Sequence, residues 1–276
     1  MKKTVVYVMG LGHSGSTTLQ YLLCRNLPAA LGLGEVFKLS PFWAAESRHG
    51  ECACGNDVQN CALWGQLEPL SKESNEHWYW RLQQHLFVQF PDSGIWIDTS
   101  KSLKEFKAWK KMTRDISSLE LKIIFLARDV QSWAWSDERV RTRKNRPTRG
   151  LWVSMVFWSI QQLRFLLTIK KSKLPYHLIL YDSLAKETSR EIRQVREFLQ
   201  VNTSDHVDDR IFSHAVHDVT GNRMKKKIGA ESLVRYDDAW LSDLRITKVY
   251  KKNWLARIVM AQLRKIEKQR GQDYIG

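Results

Sequence analysis

The sequence predicts an α/β fold, a three-layer sandwich in which helices cover both faces of a central parallel sheet. Three observations predict it: short apolar runs suited to buried strands, helical patterns between those runs, and a glycine-rich loop after the first run. The runs are Val5–Met9, Ile95–Asp98, Leu121–Ala127 and Tyr176–Tyr181. Strands of a parallel sheet covered on both faces are apolar throughout, because neither side meets water. Ligands of such sheets bind at the carboxyl ends of the strands.

The first strand leads into the loop Gly10-Leu-Gly-His-Ser-Gly15-Ser16-Thr17-Thr18. Its spacing is that of a phosphate-binding P-loop, with Ser16 where the lysine for nucleoside triphosphates normally stands. Glycines let the backbone N–H groups face an anion, and a helix beginning near Ser16 adds unpaired donors. The loop makes the predicted sandwich P-loop-like and indicates an anion other than a nucleoside triphosphate. A glycine-rich turn without a ligand is the alternative.

Residues 36–94 look like an irregular insert, and they contain three of the four cysteines, at Cys52, Cys54 and Cys61. Zinc, a disulfide and simple packing thiols all remain open for this group. Zinc needs a fourth ligand, for which His49 and Cys24 are the candidates, and the C-x-C spacing differs from the usual C-x₂-C.

The next two strand ends carry polar residues. Asp98-Thr99-Ser100-Lys101 follows the second run, and Arg128 follows the third, with Ser136 eight residues later in a helical stretch. Eight residues make just over two helical turns, so both side chains can face one ligand. Arginine offers a planar fork to phosphate and serine a neutral donor. With the first loop they predict two anion sites on neighbouring strands; an ion pair and an ordinary helix serine are the alternatives.

The later part of the chain is mostly helical. Helices are expected over 152–171 and 183–199, and a basic helix at about 250–270. Between the second and third of these helices, a polar stretch from His217 holds a glycine, an asparagine and clustered cations. These residues suit a loop around a phosphate or a solvated basic loop. The basic helix is expected to dock on the protein rather than on an anionic membrane. We expect residues 1–276 to form a single domain.

The bulk composition favours an anionic partner, because 44 Lys and Arg against 29 Asp and Glu give a net charge of +15. Twelve tryptophans are expected mainly in the core, and some of them are expected to line a ligand pocket. No apolar run approaches the length of a membrane span. The apolar run after Met1 is too short for a secretory leader, so we expect a cytoplasmic setting.

Taken together, these motifs resemble the sulfotransferases that use 3′-phosphoadenosine-5′-phosphosulfate (PAPS) and release adenosine 3′,5′-bisphosphate (PAP). The first loop is similar to their 5′-phosphosulfate loop, and Arg128 with Ser136 to their 3′-phosphate motif at the same spacing. Asp98–Lys101 resembles their D-S-S-K element. The stretch Leu180–Leu199 resembles their Y-E-D-L…F-L segment, and the stretch from His217 their late cofactor loop. The resemblance runs through nearly the whole chain in the expected order.

The resemblance implies a set of donor-binding residues on three segments. They are Gly12, His13, Ser14, Gly15, Ser16, Thr17 and Thr18 in the first loop, Arg128 and Ser136, and Gly221, Asn222, Arg223 and Lys225 in the late loop. Two positions depart from the family pattern. His13 stands where many members carry Arg or Lys, and Thr99 replaces the first serine of D-S-S-K.

The resemblance also implies how the chemistry proceeds. Glu35 is the candidate general base, His13 is the second candidate, and Lys101 is expected to reach the bridging oxygen or the phosphates. The chemistry needs no metal. The implied acceptor is a hydroxyl or amine of a saccharide or small natural product, and nucleic acid is not an expected partner.

Two other functions compete with this interpretation. The first is a P-loop kinase with a degenerate loop, for which Asp98 is the sole candidate for the metal-binding acid. The second is a non-catalytic basic module that binds nucleic acid or anionic membranes, which the net charge permits.

Overall fold

The centre of the molecule is a parallel sheet of five strands in the order β2-β3-β1-β4-β5. The computed structural model describes residues 2–39, 50–67, 74–202, 206–219 and 232–273. The strands are β1 Lys3–Gly10, β2 Ala30–Gly34, β3 Ile95–Asp98, β4 Leu119–Ala127 and β5 Tyr176–Leu180. The four predicted strands are confirmed, whereas β2 was not predicted. Because β1 lies between β3 and β4, the loop after β1 is flanked by the ends of both.

Helices surround the sheet in the described segments. They are α1 Ser16–Asn26, α2 Asn75–Gln89, α3 Leu103–Asp115, α4 Val130–Arg143, α5 Leu151–Ser172, α6 Tyr181–Lys186, α7 Thr188–Leu199, α8 Leu244–Lys252 and α9 Trp254–Asp273. Short 3₁₀ turns occur at Val36–Leu39, Val58–Asn60 and Ala239–Ser242. None of the described helices is long and apolar enough to cross a membrane.

The alternation of side chains along β1 creates the two cores. Val5, Tyr7 and Met9 pack on one face, in a cluster that includes residues of α2, α3, α5 and α9. Val6 and Val8 pack on the other face, with α1 and α7. Both sides of the strand are therefore buried, which explains its unbroken apolar run. The predicted three-layer sandwich is confirmed.

Two sequence-based expectations need correction. The insert at 36–94 is not irregular throughout, because α2 occupies Asn75–Gln89 with a serine cap at Ser74. The helix expected over 183–199 is two helices, α6 and α7. The basic helix expected at about 250–270 corresponds to α9, and α8, which was not predicted, precedes it with Asn253 between them. The single domain over 1–276 stays a prediction.

The unpredicted strand β2 is held at its outer side by the segment around His217. Gly32 N donates to Ala215 O at 2.8 Å, and His217 N donates to Gly32 O at 2.7 Å. At Gly34, φ is +70°, and a Cβ would lie 2.7 Å from Cα of Asp218, so only glycine fits there. Because β2 runs parallel to its neighbours, Glu35 directly after it lies at the carboxyl ends of the strands, where the loop after β1 also lies.

Candidate active site

The loop Gly10–Thr18 wraps tightly against its surroundings. Gly15 has a φ of +91°, and a Cβ there would lie 2.1 Å from Cδ2 of Tyr181, so this position requires glycine. The indole of Trp133 donates from Nε1 to Gly12 O at 2.8 Å. His13, with a φ of 68°, also adopts the left-handed conformation. The backbone of the loop is thus fixed from two sides before any ligand arrives.

This loop leaves polar groups without partners. Ser14 is 1% exposed, and its Oγ has no hydrogen-bond partner in the described part of the chain. Helix α1 starts at Ser16 with no side-chain cap from Gly15. A buried hydroxyl left unpaired costs about 1–3 kcal/mol, and an uncapped helix N-terminus attracts anions. An anionic ligand with acceptor oxygens fits this set of donors.

Lys101 brings the loop and two of the catalytic candidates together. Its Nζ donates to Glu35 Oε1 at 2.5 Å and to Ser16 Oγ at 3.0 Å. The Lys101 and Glu35 side chains are only 15% and 14% exposed. A neighbouring ammonium favours the carboxylate form of a glutamate. Glu35, Lys101 and Ser16 therefore form one polar group at the ends of β2, β3 and β1.

His13 has the chemistry of a weak base in this setting. Partial desolvation beside the loop lowers the pKa of its imidazole, and the positive charges of Lys101, Lys144 and Arg128 lower it further against the opposing effect of Asp137. These effects favour the neutral imidazole over the imidazolium in the protein without a bound anion. An Arg or Lys, which the resemblance implies for many members at this position, is charged at every physiological pH.

Arg128 lies beneath the loop and is already bonded within the protein. Its Nε donates to Ser132 Oγ at 2.6 Å, and its terminal nitrogens lie 3.3 Å from His13 O and from Asp237 Oδ2. The guanidinium carbon lies 5.4 Å from the ring centroid of Tyr181. Arg128 therefore supports the backbone of the loop and also presents a cation at the end of β4.

The remaining predicted residues divide into two groups. Ser136 is half-buried on α4, one turn beyond Ser132. Thr17 is half-buried and Thr18 buried at the start of α1. Gly221, Asn222, Arg223 and Lys225 lie outside the described residues, so their predicted role stays a prediction.

Comparison with known families agrees with this geometry. A sulfotransferase domain model matches residues 3–268. The chain belongs to the sulfotransferase family. No curated protein sequence gives a significant match.

The fold of this sulfotransferase is also similar to solved structures. The sulfotransferase domain from the curacin biosynthetic pathway is 14% identical, with a TM-score of 0.50 over 96% of this chain and 98% of that one. The domain from the Synechococcus PCC 7002 olefin synthase is 16% identical, with a TM-score of 0.47 over 91% and 95%. A sulfotransferase from Alicyclobacillus acidocaldarius is 13% identical, with a TM-score of 0.48 over 97% of each chain.

Several residues at the candidate site were not found from the sequence. Ser132 accepts from Arg128 and stands four residues after it, a spacing that could have indicated a helical neighbour. Tyr181 was expected to end a strand but begins α6 and packs under Gly15. Asp237 lies 109 residues from Arg128 in the sequence, so no local pattern could reveal that pair.

Asp98 is a buried carboxyl group beside the site. It accepts from Ser100 N at 2.7 Å and from Trp109 Nε1 at 2.6 Å. Burial raises its pKa from 3.8 to about 6, against the opposing effect of these hydrogen bonds. In the folded sulfotransferase, the Asp98 carboxyl group therefore keeps its proton in a pH range where the same group of the unfolded chain has lost it.

This shift predicts a pH-dependent stability. Between pH 4 and 6 the native state binds more protons at Asp98 than the unfolded state, so the free energy of unfolding falls as pH rises through that window. A shift of about two pKa units corresponds to about 3 kcal/mol. We expect urea unfolding to show Asp98→Asn gaining stability relative to wild type by up to that amount from pH 4 to 6. Parallel stability curves would contradict a cost of ionising Asp98.

Proposed function

We propose that this sulfotransferase transfers the sulfuryl group of PAPS to a hydroxyl or amine of a saccharide or small natural product. The observation that carries the proposal is the buried, unpartnered Ser14 hydroxyl in a loop whose Ser16 contacts the Lys101–Glu35 pair. An anion cradle and a carboxylate are the two elements that transfer of an anionic group to a protic acceptor requires. The acceptor class rests on the resemblance of the sequence motifs.

The donor proposal assigns residues to its two ends. The loop from Gly12 to Thr18 is assigned to the 5′-phosphosulfate, because its buried hydroxyl and uncapped helix N-terminus need acceptor oxygens. Arg128, at the adjacent strand end, and Ser136, on α4, are assigned to the 3′-phosphate. Gly221, Asn222, Arg223 and Lys225 are assigned to the same end of the donor on the resemblance alone. A basic protein with a net charge of +15 also attracts so anionic a nucleotide.

The proposed chemistry uses Glu35 and Lys101 as a pair. PAPS, when bound, supplies an activated sulfuryl group with PAP as its leaving group. Glu35 takes the proton of the acceptor hydroxyl or amine as that atom bonds to sulfur. Lys101, at 2.5 Å from Glu35 and 3.0 Å from Ser16, orients the carboxylate and stabilises negative charge on the oxygen that departs. His13 remains the second candidate for the base.

Binding of PAP to the wild-type protein tests the donor assignment. We expect calorimetry to give one PAP site per chain, with much weaker binding of adenosine 5′-monophosphate, which lacks the 3′-phosphate. A screen with labelled PAPS against saccharides and small hydroxylated or aminated metabolites then identifies the acceptor. Absence of PAP binding would overturn the donor proposal.

PAP binding, together with two further assays, separates the competing functions. Mg²⁺-dependent turnover of ATP without PAP binding would favour the kinase. Salt-sensitive binding to DNA or anionic vesicles without PAP binding would favour the basic module. The cytoplasmic setting remains part of the proposal, and four cysteines without a disulfide between them are compatible with a reducing compartment.

A further inference from the structure

The three clustered cysteines meet a histidine from a distant part of the chain. Cys52, Cys54, Cys61 and His217, here called the thiol–imidazole cluster, place their ligand atoms within 4.8 Å of one another. Cys52, Cys61 and His217 are buried, at 4%, 2% and 6% exposure, and Cys54 is half-buried. His217 lies 156 residues from Cys61 in the sequence. The fold, rather than the local spacing, therefore completes a set of four potential metal ligands.

Four of the six separations within this cluster lie near those around a tetrahedral zinc ion, and the other two are no longer than 4.8 Å. Zinc at about 2.3 Å from sulfur and about 2.0–2.1 Å from nitrogen keeps two sulfurs about 3.8 Å apart and sulfur about 3.6 Å from nitrogen. Cys61 Sγ lies 3.5 Å from Cys52 Sγ and 3.9 Å from Cys54 Sγ. His217 Nδ1 lies 3.2 Å from Cys61 Sγ and 3.9 Å from Cys52 Sγ.

The backbone positions these side chains independently of their mutual contacts. Cys52 N donates to Asn56 O at 2.8 Å, and Gly55, with a φ of +97°, closes the turn by donating from N to Cys52 O at 3.0 Å. The histidine is held by its own backbone, which donates to Gly32 O at 2.7 Å and accepts from Trp64 Nε1 at 2.6 Å. The ligand atoms thus converge with no covalent link between them, joined only by long hydrogen bonds of the sulfur atoms, as in a preformed site.

The alternatives left open by the sequence fit less well. A disulfide needs sulfurs about 2.05 Å apart, whereas the sulfurs of this cluster lie 3.5 and 3.9 Å apart and all four cysteines are free. Cys24, one of the two fourth ligands considered from the sequence, is not in the cluster; its sulfur lies 4.0 Å from Ala215 O. The other, His49, lies outside the described residues. Packing thiols need no imidazole nitrogen among them.

We propose that the thiol–imidazole cluster binds one structural Zn²⁺ through three Sγ atoms and Nδ1 of His217. Four protein ligands close the tetrahedron and leave no position for a water or substrate, which is typical of a structural site. Binding displaces the thiol protons of Cys52, Cys54 and Cys61, which leave to solvent, and involves no redox change.

The proposed ion would join two segments that otherwise meet through a few hydrogen bonds. It ties residues 52–61 of the insert to His217, which pairs with β2 just before Glu35. Zinc here would therefore stabilise the outer strand β2, and with it the position of Glu35 in its pair with Lys101. The proposal does not depend on the identity of the sulfuryl donor or acceptor.

Metal analysis of the untagged full-length protein tests the proposal. We expect close to one zinc per chain in the wild type. Cys54→Ser and His217→Ala are expected to weaken zinc affinity at least about a hundredfold, since even loss of an outer hydrogen-bonding partner to a ligand costs about 10–100-fold. Cys24→Ser removes the remaining buried cysteine and should keep the zinc, which makes it the matched control.

A second measurement keeps the test independent of how the variants fold. Wild-type protein exchanged into Co²⁺ should show the visible bands of a tetrahedral cobalt–thiolate site, and chelation should lower its Tm until zinc is restored. Trace metal in the wild type with four titratable thiols after unfolding would overturn the proposal in favour of packing thiols. Two titratable thiols would overturn it in favour of a disulfide.

Discussion

Glu35→Gln is expected to lower kcat about 10²–10⁴-fold, the usual contribution of a general base, while changing PAP affinity little. The variant keeps the size of the side chain and its hydrogen bond from Lys101 but cannot take a proton. Steady-state kinetics with PAPS and the acceptor from the screen measure the first effect, and calorimetry with PAP measures the second. The acidic limb of the pH profile should also disappear, because it reports deprotonation of the base.

The control for this variant is another glutamate–lysine pair. Glu76 and Lys111 lie 2.5 Å apart on α2 and α3, the same separation as Glu35 and Lys101. Glu76→Gln should leave kcat and PAP affinity as in the wild type. An unchanged rate in Glu35→Gln would remove Glu35 from the base role. A large loss in His13→Asn, with the acidic limb abolished, would then assign the proton to His13.

Arg128→Ala is expected to weaken PAP binding about 10–100-fold. A hydrogen bond to a charged group contributes about 1.5–3 kcal/mol, and each 1.4 kcal/mol is a factor of about ten in affinity. The guanidinium also donates to His13 O, so its loss loosens the loop as well as removing a cation. Calorimetric titration of PAP into the variant and the wild type gives the ratio of dissociation constants.

Loss of a buried arginine can act through stability alone, so a matched variant is needed. Arg196 is also buried and donates to backbone oxygens, at 3.1 Å to Asn26 O and 3.0 Å to His206 O, near the end of α1 rather than at its start. Arg196→Ala should lower Tm while keeping wild-type PAP affinity. Equal weakening of PAP binding in both variants would mean that Arg128 acts through the fold and not through the phosphate.

The four strands with strong apolar character were predictable from the sequence, and the unpredicted strand β2 shows what the prediction depends on. The sequence of β2, Ala30–Gly34, reads ALGLG and has no β-branched residue. Its conformation depends on pairing with β3 on one side and with Val216, which bridges to Gly32, on the other. In this strand tertiary pairing, not local pattern, decides the element. Helix α2 was missed within the stretch 36–94, although it begins at a local cap, Ser74, whose side chain accepts from His77 N.

The candidate site was predictable where it is local and not where it is assembled. The spacing within Gly10–Thr18 indicated the anion cradle, since one turn and one helix start supply it. The contact between Lys101 and Glu35 depends on β2, which was not predicted, and links residues 66 apart in the sequence. The contact of His217 with Cys61 spans 156 residues. Such contacts follow from strand order, which a single sequence does not specify.

The two cations of the site are not free in the protein as it stands. Lys101 already holds a carboxylate from Glu35, and Arg128 holds one from Asp237. On the proposed donor assignment, an incoming anion competes with Glu35 for Lys101 and with Asp237 for Arg128, so little new charge is neutralised when it binds. Lys101 then shares its donors between the anion and Glu35, which keeps the carboxylate oriented and loosens its ion pair as the donor is engaged. Donor binding and readiness for proton transfer become one coupled equilibrium, which favours an order in which the acceptor reacts second.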